Sequence, residues 1–288
     1  MEVMENMKND LALLVVAFFW GLTFVTVKEA IEFIPPFSFL FCRFSIAFLL
    51  LLLISVKKLK NMNLKTLKSG FFIGIFLFLG YAFQTVGLKY TTPANAGFIT
   101  GLSVVIVPFL SSMILKAKPG RNVIIGIILA TIGLLFLSFQ EFKISYGDFL
   151  ILLCALSFAM HIILVGKYSP KMDTFLITTV QIGTVALFSL FFSFTESSFE
   201  FNIVILEALI ITAIFATVLA FLIQNAAQKH VSPTHTALIF AMEPVFAAVC
   251  SYIIISEVFT IRKIIGCLFI LLGMIIAEIK INQKFLRE

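Results

Sequence analysis

Residues 233–256 read PTHTALIFAMEPVFAAVCSYIIIS. The stretch is long enough for a helix to cross a bilayer, since about 20 residues rising ~1.5 Å each cover the hydrocarbon core. Yet Glu243 and Pro244 stand at its centre. A carboxylate at mid-depth costs roughly 2.5–3.5 kcal/mol on insertion scales. The proline removes a backbone donor and leaves the carbonyl of Phe240 without its helical partner. A lipid-facing helix gains nothing from either feature. This span is therefore expected to face protein or a water-filled cavity, with the other spans arranged around it.

Composition agrees. Of 288 residues 61% are hydrophobic and 12% charged, with mean hydropathy +1.12, whereas a soluble domain runs near 25% charged. The chain reads as an integral membrane protein whose surroundings are the lipid bilayer. A net charge of +6 and a pI near 9.1 would suggest nucleic acid in a soluble protein. Here the basic residues sit in short loops between apolar runs and set orientation instead, so no nucleic-acid partner is expected. Cys42, Cys154, Cys250 and Cys267 fall inside apolar segments without CxxC or metal-ligand spacing, and read as small hydrophobes, not disulfides. The opening MEVMENMKND is acidic and runs into an apolar segment without a small-residue cleavage site. It reads as an uncleaved first span.

Ten apolar segments can be marked, at roughly 11–30, 37–56, 70–88, 94–115, 122–139, 148–166, 174–194, 203–228, 233–255 and 263–279. Pro35-Pro36, the lysine loop 57–68, Pro93, Lys116–Arg121, Ser169-Pro170, the acidic 196–200 loop and Pro233 punctuate them. With the N-terminus cytoplasmic, fifteen lysines and arginines fall on that side. Only Lys28, Lys89, Lys143, Arg262 and Lys263 fall on the other. The positive-inside rule then places both termini in the cytoplasm, in a multi-pass protein of the plasma (inner) membrane.

A repeat organises the chain. Residues 84–133 laid over 224–273 pair Gln84 with Gln224, Lys89 with Lys229, Pro93 with Pro233, Ser111 with Ser251, Gly126 with Gly266 and Gly133 with Gly273, without a gap. The earlier parts match more weakly, with Asp10 aligning near Asp148. Because five is odd, a five-span unit repeated once inserts its second copy upside down. The expectation is an all-α integral membrane fold: ten transmembrane helices as two inverted five-helix repeats, residues 1–140 and 141–288, around a central cavity. Inverted repeats with a binding site at their interface are a transporter design.

Trp20-Gly21 in the first span, Arg43-Phe44 in the second, Pro93-Ala94-Asn95-Ala96 opening the fourth, Glu243-Pro244 in the ninth and Ser256-Glu257 at its end resemble the EamA family of the drug/metabolite transporter superfamily. The resemblance covers essentially the whole chain in two copies, and the order of the motifs carries it. The first copy departs from the pattern, with Ser103-Val104 where the second has Glu243-Pro244, and Lys116-Ala117 where the second has Ser256-Glu257. The resemblance implies ten helices around a central cavity and movement of small metabolites, often outward. It does not fix the solute.

With short loops, function has to be sought in polar groups at membrane depth. Glu243 is either a proton-coupling or substrate-amine carboxylate, or a group satisfied by Arg43 or by the backbone near Pro244. Arg43 can snorkel, pair with Glu243 or bind a substrate carboxylate. Tyr81 with Gln84, and Phe221 with Gln224, share helix faces at i, i+3. Their amides serve a polar ligand or interhelical packing. Asn95 and His235 each follow by two residues the proline that opens their span, and His161 and His235 are either titrating groups or hydrogen-bonded packing residues. Trp20, too central for an interfacial belt, shares a cavity wall with Phe24 one turn on, or simply packs. Gly126, Ala130, Gly133, Gly266 and Gly273 allow close helix approach, within the chain or in a homodimer.

The leading functional reading is a secondary transporter for a small-molecule solute such as an amino acid, with a midplane cavity lined by spans 1, 3, 4, 6, 8 and 9. The alternative is an intramembrane enzyme acting on a lipid or peptide, which needs clustered catalytic or metal-binding groups. No HExxH is present and His161 and His235 lie on different spans, so no catalytic residue, cofactor or metal is assigned. A channel would need rings of like groups or a filter loop, and the sequence offers neither. An ATP-driven pump would need a GxxxxGK[ST] loop, which is missing.

Overall fold

Polar caps mark where each helix begins. Asn63, Thr92, Ser145, Asp173, Asn202 and Ser232 each accept a hydrogen bond from a backbone N–H of the first turn that follows, answering the orphan donors of a helix start. The computed structural model describes residues 2–116, 119–138, 145–255 and 260–278. Ser256 and Glu257, and Ala117, Lys118, Lys143, Lys280, Lys284 and Arg287, lie outside the described residues.

The helices are α1 (Glu2–Ala30), α2 (Pro36–Ser55), α3 (Leu64–Leu88), α4 (Pro93–Gly101), α5 (Ser103–Ile114), α6 (Arg121–Ser138), α7 (Tyr146–Tyr168), α8 (Thr174–Ser193), α9 (Ile203–Ile210), α10 (Ala220–Ala227), α11 (Pro233–Phe240), α12 (Glu243–Ile255) and α13 (Ile261–Glu278). A π-helical stretch, Ile211–Leu219, joins α9 to α10 in one continuous rod. Among the described residues there is no strand. Eight helices are long and apolar enough to cross a membrane, counting α4–α5, α9–α10 and α11–α12 as one rod each. The apolar helices α6 and α13, 18 residues each, stand outside that set; α13 carries Arg262, Lys263 and Glu278.

Two rods break at matched places. α4 opens on Pro93 under a Thr92 cap and stops at Leu102; α11 opens on Pro233 under a Ser232 cap and stops at Ala241. The two stopping residues have nearly the same backbone, φ −60° and ψ −13° against φ −62° and ψ −11°. Pro244 explains the second break, since it cannot donate into the ladder. The first has no proline at the matching position, and α4 ends on Gly101. The rods cross, α4 packing on α12 and α11 on α5. Pro244 lies against Gly97 and Gly101.

Polar contacts between loops sort them into two ends. Lys58 Nζ donates to Asp173 at 2.9 Å and Lys229 Nζ donates to the carbonyl of Met172 at 3.0 Å, so both lysines meet one turn at one end. At the other end Glu196 accepts from the N–H of Phe37, the N–H of Ser38 and the Ser38 hydroxyl at 2.7–3.0 Å. A carboxylate there is well placed against the helix N-terminus. Lys28 Nζ donates to the carbonyls of Leu88 and Thr91, covering the C-terminus of α3.

The small residues of α6 and α13 meet each other within the chain. A Cβ on Gly126 would stand 2.6 Å from the Gly273 carbonyl oxygen, and one on Gly133 2.5 Å from that of Gly266. Ala130 meets Gly273 from the same side. These positions are filled by a contact within the chain.

Candidate functional site

The broken rods frame a partly enclosed cavity. Its lining comes from α1 (Trp20, Thr23), α3 (Leu77, Tyr81, Gln84), α4 and α5 (Thr100, Ser103), α7 (Phe158, His161, Ile162), α10 (Phe221, Gln224), and α11 and α12 (Phe240, Glu243). These are the six spans expected from the sequence. The cavity volume is about 30 Å³, room for roughly two waters.

Glu243 enters because α12 starts there and α1 lets it approach. A Cβ on Gly21 would lie 2.7 Å from the Glu243 carbonyl oxygen and 2.8 Å from the Ala247 nitrogen; only glycine tolerates that contact. Trp20, next door, reaches into the cavity, its ring 4.8 Å from Phe240 and 5.5 Å from Phe221. The Glu243 carboxylate has no hydrogen bond or ion pair among the described residues. Neither partner expected for it from the sequence is taken up.

Arg43 goes elsewhere. It is 2% exposed, with Nε donating to Thr217 at 2.9 Å and an Nη donating to the Tyr81 hydroxyl at 3.2 Å and the Ala216 carbonyl at 3.3 Å. Its guanidinium lies 4.5 Å from the Tyr81 ring centre and 5.1 Å from that of Phe44, cation–π distances. The π-helical stretch makes this possible. There the Thr217 hydroxyl donates to the carbonyl of Thr212 five residues back, and the Ala216 carbonyl also accepts from Trp20 Nε1 at 3.0 Å. π-bulges recur at functional sites because they free such backbone groups. Tyr81 stands between the buried cation and the cavity, its oxygen taken by Arg43 and its ring against Phe158.

Two amides and a histidine complete the polar wall. His161 Nε2 is 3.0 Å from Gln181 Oε1 and lies edge-on to Phe221. Gln224 Nε2 donates to Gln228, which donates to the carbonyl of Ile162. That leaves Gln224 Oε1 buried without a partner, as is Gln181 Nε2. Such groups carry a desolvation cost, which for Gln224, a lining residue, a polar solute or water in the cavity would relieve.

The structure thus brings together Trp20, Tyr81, Gln84, His161, Gln224 and Glu243. Phe24 does not join them. Four residues advance about 6 Å along the axis, and its ring there is buried against Gly97. Asn95 and His235 lie at the mouths of α4 and α11 instead. His235 Nε2 is 3.2 Å from Asp10. Asp148 binds Thr91 at 2.5 Å with Asn95 within reach. Gln181 and Thr217 were not singled out from the sequence. Each sits among threonines in an otherwise apolar run, and only the tertiary fold brings it to a partner. Among the described residues no three metal-ligating side chains converge.

The family model described as "EamA-like transporter family" matches twice, over residues 7–139 and 145–278. The chain belongs to the EamA-like transporter family. It is 38% identical over 282 residues to an uncharacterized transporter of Archaeoglobus fulgidus, covering 97% of this chain and 89% of that one. It is 30% identical over 291 residues to the uncharacterized transporter YyaM of Bacillus subtilis, covering 96% and 95%. A solved protein crystal structure at 17% identity has a TM-score of 0.78 and covers 94% of this chain and 97% of its own, a likeness of fold. This EamA-like chain is a multi-pass membrane protein with a transporter role.

Proposed function

We propose that the protein is a secondary transporter that moves small amine-bearing metabolites, amino acids among them, out of the cell by alternating access. The observation that carries this reading is the Glu243 carboxylate, unpartnered among the described residues and set in a narrow, partly enclosed cavity walled by Trp20, Tyr81, Phe158, Phe221 and Phe240. A carboxylate with ring faces around it favours a cation, whose charge it balances and whose methylenes or ammonium the rings accept. Gln84, Gln224 and His161 are then left to orient the polar remainder.

The size of the cavity supports movement. A metabolite does not fit in about 30 Å³, so the helices have to part to admit one. Two inverted five-helix units, 1–140 and 141–288, supply a reason for them to part alternately. α6 and α13 would bring the spans to ten. Three features support that arrangement: the double family match, the matched breaks after α4 and α11, and the α6–α13 contact. In that contact Gly126 meets Gly273 and Gly133 meets Gly266, so the 140-residue shift turns one contact into the other. The Asp10–His235 and Asp148–Thr91 contacts would clasp the first span of one unit to the fourth of the other at opposite ends. The excess of Lys and Arg on one side supports a plasma-membrane protein with both termini in the cytoplasm.

The test is flux in proteoliposomes loaded with amino acids and simple amines, with their N-acetylated counterparts as controls. The reading expects countertransport of the free amines and none of the acetylated forms. Equal flux of both would sink it.

A further inference from the structure

On the outer surface a groove of about 760 Å³ runs between α2, α3 and α8, open to the side and lined almost wholly by apolar side chains. Its floor is low because the Phe48 ring lies over Gly183, 2.6 Å from where a Cβ would stand. Phe48, Leu52, Phe71, Leu187 and Leu190 form the walls. Along α8 the lining runs from Thr179 to Leu190, about 16 Å at ~1.5 Å per residue. That is roughly half of a ~30 Å hydrocarbon core, the depth of one leaflet.

One end of the groove is not apolar. It is roofed by Leu59, Met62, Leu67 and Lys68, part of a loop that carries Lys57, Lys58, Lys60, Lys65 and Lys68 and no acidic residue. Lys58 is engaged by Asp173 and the Phe175 ring. Lys57, Lys60, Lys65 and Lys68 are exposed, and no ion pair holds them among the described residues. A slot one leaflet deep, greasy along its length and cationic at its mouth, complements one kind of molecule: an acyl chain with a negatively charged head. Basic clusters directly beside a membrane-spanning helix attract anionic lipid.

We propose that this groove is a binding site for an anionic phospholipid, one acyl chain lying along α8 and the phosphate at Lys68 and Lys60. The site is separate from the central cavity and does not depend on which solute is carried. Bound there, the lipid bridges α2 and α3 to α8 and steadies the full-length protein against unfolding.

The experiment uses the full chain in nanodiscs of phosphatidylcholine alone and with phosphatidylglycerol added. Bound lipid is read by native mass spectrometry and stability by thermal unfolding. The expectation is a phosphatidylglycerol adduct and a higher melting temperature with phosphatidylglycerol present. Lys60→Gln with Lys68→Gln should weaken the adduct about 30-fold, given the strength of a lysine near an anionic surface. Leu187→Trp, at a position 60% exposed, should block the chain without disturbing the core and weaken it about as much. Arg121→Gln, outside the groove lining, should leave it unchanged. The proposal is overturned by equal retention of both lipids, by equal loss in Arg121→Gln, by an unaffected Leu187→Trp, or by displacement of the adduct with inorganic phosphate.

Discussion

Replacing Glu243 by Gln separates a carboxylate kept for a solute from one kept for the fold. The side chain keeps its shape and loses its charge. In the protein that charge has no partner, and holding it at membrane depth costs roughly 2.5–3.5 kcal/mol. Replacing it breaks no contact, so the variant should melt no lower than the parent. Transport should respond in the opposite sense. A unit charge pair about 4 Å apart at an effective dielectric constant near 20 is worth about 4 kcal/mol. If desolvating the amine takes half of that, about 2 kcal/mol remains, close to 30-fold in affinity. The assay pairs thermal unfolding in detergent with concentration-dependent countertransport of an amine-bearing amino acid in proteoliposomes. A parallel loss of melting temperature and flux would return Glu243 to a structural role. Unchanged half-saturation would refute the amine reading outright.

Other perturbations follow from the same geometry. Gly21→Val should force α12 from α1 at a cost of about 1–3 kcal/mol and abolish flux, whereas Gly97→Ala, whose Cβ would meet its nearest neighbours at 3.7 Å, should melt and transport like the parent; equal tolerance of both would show that the α1–α12 approach is not needed. Arg43→Leu should cost about 2 kcal/mol, because Thr217, Ala216 and Tyr81 lose a buried donor, and an unchanged melting temperature would show that the guanidinium holds nothing together. Asp173 is pushed up by partial burial, but the Lys58 hydrogen bond and charge and the N–H groups of Leu176 and Phe175 outweigh that and hold its carboxyl below the ordinary range. A lowered carboxyl pKa stabilises the fold above the unfolded value and stops doing so as pH falls through the folded one, so melting temperature should drop on acidification below about pH 4. Both side chains are about two-fifths exposed, which limits the effect to roughly 0.5 kcal/mol. Asp173→Asn and high salt should each erase it, and a pH response surviving both would assign it elsewhere.

How much of this was legible in the sequence depended on whether the signal was local. Pro244 announces a break, and α11 stops three residues before it. The matched break at Leu102 has no proline, and only the 140-residue repeat, laying Gly101 over Ala241, points to it. Arg43 was visible as a cation inside a span, but neither its burial nor its partners were. They depend on a π-helical stretch whose freed carbonyl is stabilised by Trp20 and Arg43 from other helices, and residues 211–219 spell nothing that forces it. Trp20, left open between a cavity wall and simple packing, lines the cavity, while Phe24 was paired with it by helical spacing that a cavity this small does not extend to. Gln181 looked like one amide in a threonine-rich span until the fold set it against His161.

The two units differ where the chemistry sits, and that difference bears on mechanism. At the matched breaks one unit presents Ser103 and the other Glu243; at the matched mouths one presents Asn95 and the other His235. α2 contributes the buried Arg43, while α8 contains no lysine or arginine and offers Gln181 instead. Packing residues such as Gly126, Gly133, Gly266 and Gly273 stay alike, because the α6–α13 contact needs both copies small at the same depth. At Arg43 and at Glu243 charge is thus held on one copy, the cation from the first and the anion from the second. Were both copies to carry the acid, two unpartnered carboxylates would share a cavity of about 30 Å³, and like charges that close disfavour each other's ionised form. One acid leaves a single charge for a solute or a proton to neutralise. A Ser103→Glu variant should accordingly fold less well than the parent, and Ser103→Glu combined with Glu243→Ser should recover stability by moving the single acid across the matched position. If the single variant melts no lower than the parent, repulsion between matched acids does not explain why only one copy carries the charge.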